Sequence, residues 1–237
     1  MQRLYGLDLI RGLLALIVMA YHLLSYTGQG TLFSLGSYPV YLFFALSAFV
    51  MIHVYGDMEI NSANLRKFFA ARAFRIMPLW IGLLAFYFAL QPITWHSFNR
   101  LLLNATFLSG LTNPGIHIEI SGGWSIAIEW VFYALFPLFL LIRSTATLAT
   151  LFIVSAITAF AYLNQLYIDP VQEPQAWMHH HQFVVFLPYF LGGALAARLH
   201  ARLPQGFGWG GLGLALLALI TICAWPFMFA TDNRTFL

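Results

Sequence analysis

The chain has 237 residues, of which 61% are hydrophobic and only 8% charged, where a soluble domain carries about a quarter charged residues. That balance excludes a soluble globular protein and marks a polytopic, all-α membrane protein. A formal charge of +3, with its cations spread over short loops, gives no basic patch for nucleic acid. Cys223 is the only cysteine and falls in an apolar run, so no disulfide forms within the chain.

The first predicted span is Leu7–Leu24, long enough to cross a ~30 Å hydrocarbon core at about 1.5 Å per residue. Asp8 and Arg11 interrupt its apolar start and no small-residue cleavage site follows, so it reads as a retained span and not a signal peptide. It carries three ionisable side chains, Asp8, Arg11 and His22. Such groups cost about 3 kcal/mol each inside a membrane and usually face a protein interior. Arg11 and His22 are eleven residues apart, close to three helical turns, which puts them on one face about 16 Å apart along the axis. Asp8 is within pairing reach of Arg11.

Residues 25–39 read as a glycine-containing turn region, and a second, phenylalanine-rich span follows over Val40–Tyr55. The segment 56–75 is polar and basic, with an interfacial helix expected over Leu65–Phe74. The third span is expected over Ile76–Leu90, with Pro78 in its first turn. Residues 91–123 form a longer loop, in which Phe98–Leu108 is too short to cross and reads as a re-entrant or surface helix. Four further spans are expected over Trp124–Ile142, Leu148–Leu163, Phe183–Leu199 and Trp209–Phe229, with a loop at 164–182. An N-terminus in the cytoplasm leaves Arg3, Arg66, Lys67, Arg72, Arg75, Arg143, Arg198 and Arg202 inside and only Arg100 and Arg234 outside. This asymmetry follows the positive-inside rule.

Two further stretches carry chemistry. Ser125, Glu129 and Tyr133 recur every four residues and share a helix face. Entering from the outside at Trp124, the fourth span puts Glu129 about 8 Å below the outer surface, at a depth similar to His22. A carboxylate beside an imidazole orients the ring and raises its pKa, which makes a general base. Arg72 and Arg75, one turn apart, suit a phosphate clamp together with Arg11 on the same side. The triplet His179–His181 reads as a solvated loop, since consecutive residues do not converge on one metal ion. His53 reads as interfacial, within pairing reach of Asp57. Ser47 has no base beside it in sequence.

These stretches together resemble the membrane acyltransferases of family three, the polysaccharide and O-antigen O-acetylases. Leu7-Asp8-Leu9-Ile10-Arg11-Gly12 with Tyr21-His22 matches the family's opening helix, and Leu42–Phe49 resembles its second. Phe69–Pro78 matches its paired-arginine segment, Trp124–Pro137 its tryptophan-serine, glutamate, phenylalanine-tyrosine and proline segment, and Phe186–Ala197 a later helix. Leu9 and Ala48 stand where glycine is frequent, and Trp130 where many members carry a second acid. Residues 1–237 read as a single domain; against the family's usual ten or so spans the seven here imply either a chain cut short at its C-terminus or late helices that are dispensable.

The resemblance implies an O-acyltransferase in the plasma (inner) membrane. It would move an acyl group, acetyl in most members, from cytoplasmic acyl-CoA to a hydroxyl of a carbohydrate or glycolipid acceptor outside. His22 and Glu129 would be catalytic. Arg11, Arg72 and Arg75 would bind the donor. Asp8, Trp124, Ser125 and Tyr133 would bind substrate or support the site, and no metal is required. The competing reading is a proton-coupled transporter or exporter of a glycan or small molecule, which buried ionisable groups also suit. Neither an inverted repeat nor a span broken at its middle is visible in the sequence to favour it.

Overall fold

The computed structural model describes residues 5–28, 33–92, 94–168 and 179–202. These residues are helical with no strand among them, and six helices are long and apolar enough to cross a membrane. The seventh predicted span, Trp209–Phe229, lies outside the described residues, as does Cys223. The chain divides into two compact units, one of residues Met1–Gly56, Arg143–Ala161 and Phe186–Leu237, the other of Asp57–Ile142 and Tyr162–Val185.

The first unit is built on α1 (Tyr5–Tyr26) against α2 (Phe33–Tyr55). Along α1 the least exposed described positions are Leu7, Arg11, Leu14, Val18, Tyr21 and His22. Their alternating spacing of four and three residues is the stripe along which one helix packs on another. Arg11 and His22 therefore belong to the packed side of α1, while Leu9, Leu13, Leu16, Met19 and Leu23 are exposed. The helices approach closely at Gly36, where an added Cβ would lie 2.6 Å from the Tyr21 ring.

α2 starts seven residues before the predicted Val40 and carries Pro39 inside it. Pro39 removes one helical hydrogen bond. The apolar residues on either side outweigh that local loss, and α2 is buried on nearly every side from Tyr41 to Ile52. Its aromatic face meets α8 (Phe183–His200), with Tyr41 stacked 5.0 Å from Tyr189 and Phe44 4.9 Å from Phe190. At Gly193 an added Cβ would fall 2.0 Å from the carbonyl oxygen of Ala45, so only glycine lets these backbones touch. α7 (Thr145–Ile168) buries Leu148, Ser155, Ala159, Leu163 and Leu166 along one face.

The second unit corrects the sequence reading in two places. The polar segment before the third span is not a separate interfacial helix. It is continuous with that span in the 28-residue α3 (Ser62–Ala89), which starts at an Asn61 cap whose side chain accepts from the Asn64 N–H at 2.9 Å. Pro78 consequently sits in the helix interior and not in a first turn. The reason is continuity of packing: the less exposed positions recur every four residues through Phe68, Arg72, Ile76, Trp80 and Leu84, a stripe that winds slowly round the helix, so stopping the helix at Arg75 would break it. The loop at 91–123 is also more ordered than expected. It holds α4 (Trp95–Ala105), a 3-10 turn (Leu108–Leu111) and α5 (Pro114–His117), and leads into α6 (Gly123–Leu141).

A polar network fastens this loop to α3. The Trp80 indole N–H donates to the Asn104 carbonyl at 2.9 Å, and the Asn104 amide donates to the carbonyls of Arg100 and His117, each at 2.8 Å. Glu119 pairs with Arg100 at 2.6 Å and accepts from the Tyr87 hydroxyl at 2.9 Å. Phe107 takes a left-handed backbone (φ 58°), and its buried ring, 5.9 Å from Trp80 and 5.0 Å from Trp130, holds it there. At Gly123 an added Cβ would meet Trp80 at 2.4 Å, which brings the start of α6 against α3.

Because Asn104 is 0% exposed and its side-chain amide donates to the carbonyls of Arg100 and His117, Asn104→Ala should cost about 2 kcal/mol. The measurement is the thermal unfolding midpoint in detergent, which should drop by several degrees. Asn104→Ala with an unchanged midpoint would show that the network carries no stability.

Candidate functional site

The second unit carries six of the predicted site residues, Arg72, Arg75, Trp124, Ser125, Glu129 and Tyr133, and brings Arg72, Glu129 and Tyr133 together. α6 opens after Gly122, whose positive φ of 81° lets the chain turn sharply into the helix. From that start Glu129 and Tyr133 lie one turn apart, and the Tyr133 hydroxyl donates to Glu129 Oε1 at 2.6 Å. This short bond from a phenol to a carboxylate is of the stronger, charge-assisted kind. Tyr133 is 2% exposed and Glu129 half-buried, so the bond forms largely out of water.

Arg72 completes the arrangement from α3. Its guanidinium carbon lies 5.7 Å from the centre of the Tyr133 ring and 6.0 Å from that of Phe68. Phe68 stacks on Phe136 of α6 at 5.2 Å, which fixes the register of the two helices. A cation over an aromatic face is attracted by the ring quadrupole. Arg72 thus meets α6 at Tyr133, the residue that also bonds Glu129. The sequence alone keeps Arg72 and Glu129 apart, because it ends the basic segment before the third span instead of inside it.

Arg75 behaves differently. The two arginines are one turn apart in sequence, but Arg72 is half-buried on the packed side of α3, while Arg75 is exposed. Three residues turn a helix by ~300°, and that remaining offset is enough to separate them when the packed stripe is narrow. Ser125 shares the spacing of Glu129 and Tyr133, yet its hydroxyl donates to the Gly122 carbonyl at 2.8 Å, in the first turn of α6.

The first unit carries Asp8, Arg11 and His22. Asp8 is exposed, and Arg11 and His22 are half-buried on the stripe that faces α2. The His22 ring lies among tyrosines, 5.3 Å from Tyr21 edge-on and 6.2 Å from Tyr26 in a stacked arrangement.

The histidine triplet is not the solvated loop that the sequence suggested. His180 and His181 are buried at 5% and 2% exposure, and His181 packs 4.3 Å from the Trp124 ring. Asn113 Nδ2 lies 3.0 Å from His179 Nδ1. Sequence reasoning missed this cluster because its partners come from residues 113 and 124, far away in the chain. The available signal was three adjacent imidazoles in a chain with so few charged residues. Burial, and then the charge of His181, push the His180 pKa down to about 3.

The chain matches the family model described as an acyltransferase domain over residues 4–237. It is 29% identical over 151 residues to an uncharacterized protein of Haemophilus influenzae, a match covering 54% of this chain and 60% of that relative. The chain thus spans about 60% of the length of the curated relative it matches. No solved structure matches it.

The buried His180 implies an acid limit on stability. Its folded pKa lies below the unfolded value near 6.5, so the unfolded chain binds the extra proton first. Stability contributed by the neutral ring is present above ~6.5 and is lost as pH falls toward ~3, by about 2 kcal/mol at pH ~5. The thermal midpoint should decline from neutral pH to mild acid, and His180→Phe should flatten that decline. An equally steep decline in His180→Phe would assign it to other groups.

Proposed function

Since this chain belongs to membrane acyltransferase family three, and is therefore a multi-pass membrane acyltransferase, we propose that it moves an acetyl group from cytoplasmic acyl-CoA to a carbohydrate hydroxyl on the outer side of the membrane. The observation that best supports this is the Arg72–Tyr133–Glu129 arrangement, in which a guanidinium and a carboxylate share one tyrosine within apolar helices. Buried ionisable groups are costly to insert, and a reaction that handles an anionic donor and an acidic proton gives them a use.

In this reading His22 takes the proton from the acceptor hydroxyl as its oxygen attacks the thioester carbonyl. The new ester C–O bond forms, the C–S bond breaks, and coenzyme A leaves as the thiol once its sulfur regains a proton. Glu129, fixed by Tyr133, is the carboxylate that favours the charged imidazolium. Arg11, Arg72 and Arg75 take the donor's phosphates, with planar guanidinium groups suited to bidentate contact. Arg72 links the two roles, because its ring partner is the phenol that holds Glu129. Asp8, Trp124 and Ser125 support the site. The acceptor is a carbohydrate or glycolipid. The protein lies in the plasma (inner) membrane with its N-terminus in the cytoplasm, as the distribution of lysine and arginine favours.

Three expectations apply to purified protein incubated with labelled acetyl-CoA and an acceptor glycan. His22→Ala should abolish acetyl transfer while the protein still inserts and purifies normally; undiminished transfer would remove His22 from the mechanism. Tyr133→Phe should lower kcat by about tenfold, the loss of one hydrogen bond to a charged group. Arg72→Lys should raise the KM for acetyl-CoA without matching the wild type, since a lysine offers no planar fork. A wild-type donor KM in both Arg72→Lys and Arg72→Ala would take Arg72 out of donor binding.

A further inference from the structure

The turn that carries the three histidines is held from below by two buried side chains. His181 packs against the Trp124 ring at 4.3 Å and is 2% exposed. Asn113, 8% exposed, places Nδ2 at 3.0 Å from His179 Nδ1. An amide nitrogen only donates, so Nδ1 of His179 is the accepting nitrogen, and the neutral ring carries its hydrogen on Nε2.

Asn113 also forgoes a simpler use. It stands at the position preceding α5, where an asparagine side chain ordinarily accepts from the first backbone N–H groups, yet it makes no such bond. Its Oδ1 is buried and has no partner among the described residues. The carboxamide is spent on orienting His179 and leaves an acceptor unsatisfied, which is an unusual arrangement for a group that serves packing alone. The Tyr162 hydroxyl donates to the His179 carbonyl at 3.3 Å, so the backbone of the turn is pinned as well. Above these supports, Trp124 and His179 remain only half-buried. A preorganised site has this form, with accessible groups locked by buried ones.

We propose that Trp124 and His179 bind the acceptor, a neutral sugar, with His181 and Asn113 as positioning residues, an assignment that rests on the acyl-transfer reading above. The indole face suits the C–H face of a pyranose ring. The Nε2–H of His179 donates to a hydroxyl or ring oxygen. Asn113, Trp124, Tyr162, His179, His180 and His181 bring no carboxylate, ammonium or guanidinium to the cluster, and His180 stays neutral at physiological pH. The cluster therefore suits an uncharged ligand.

The test uses the full chain in detergent and saturation-transfer NMR with the methyl glycosides of glucose, galactose and N-acetylglucosamine, with glucose 6-phosphate as the anionic control. At least one neutral glycoside should show transfer in the wild type, and the phosphate sugar none. Trp124→Ala and His179→Ala should each weaken that signal about fivefold. Trp124→Phe, which keeps a ring against His181, guards against misfolding and should fall between. Asn113→Ala should weaken binding less than His179→Ala, because it acts through that ring; a purely structural asparagine would lower the thermal midpoint and leave binding unaltered. Wild-type binding in both Trp124→Ala and His179→Ala, or no neutral glycoside binding to the wild type, overturns the assignment. Glycoside binding without acetyl transfer would instead count against the acyl-transfer reading, and acetyl transfer with an unchanged acceptor KM in both variants would count against this site alone.

Discussion

The fold and its chemistry depend on where a bundle of apolar helices places its few ionisable groups. A charge inside hydrocarbon persists only when other side chains receive it. In the second unit Tyr133 supplies part of that reception. Its hydroxyl serves Glu129 and its ring serves Arg72, so an acid and a base from two helices share one aromatic side chain. Phe68 against Phe136 sets the register that makes this possible. One neutral side chain thus contributes a hydrogen bond to the carboxylate and a ring quadrupole to the guanidinium.

Around it the unit is built from close approaches and buried polar bonds. Gly123 against Trp80 brings α6 to α3. The Asn104 network anchors the loop before α6, and Glu119 is neutralised by Arg100 instead of being left to solvent. In the first unit, Gly193 against Ala45 and Gly36 against Tyr21 do the equivalent work between helices. Small residues at crossing points, with aromatic contacts beside them, are the expected way to pack helices where lipid offers no hydrophobic contrast. Rigid elements of this kind can hold catalytic side chains within the tolerances that chemistry demands.

Much of this was legible in the sequence. Hydropathy marked the spans, and the spacing of Glu129 and Tyr133 marked a shared face, because both signals are local. The start of α3 is misread because Arg66, Lys67, Arg72 and Arg75 make the segment look interfacial, while the winding series of less exposed positions from Phe68 to Leu84 appears only when the partner helix is known. Pro39 and Pro78 suggested helix ends, yet both sit inside helices whose flanking packing compensates for one missing hydrogen bond each. The burial of His180 and His181 depends on Asn113 and Trp124, which lie more than fifty residues away in the chain, and no periodicity reports such a contact. The same limit hid the proximity of Arg72 to Tyr133.

Acyl transfer to a glycan outside the cell, as proposed for these groups, is tested most directly by the mass of surface glycans extracted from cells that express the wild-type chain, the Glu129→Gln variant, or neither. Added acetyl masses are expected with the wild type alone, with Glu129→Gln present in the membrane at the same level. Glycans of identical mass in all three, or full acetylation by Glu129→Gln, would contradict it.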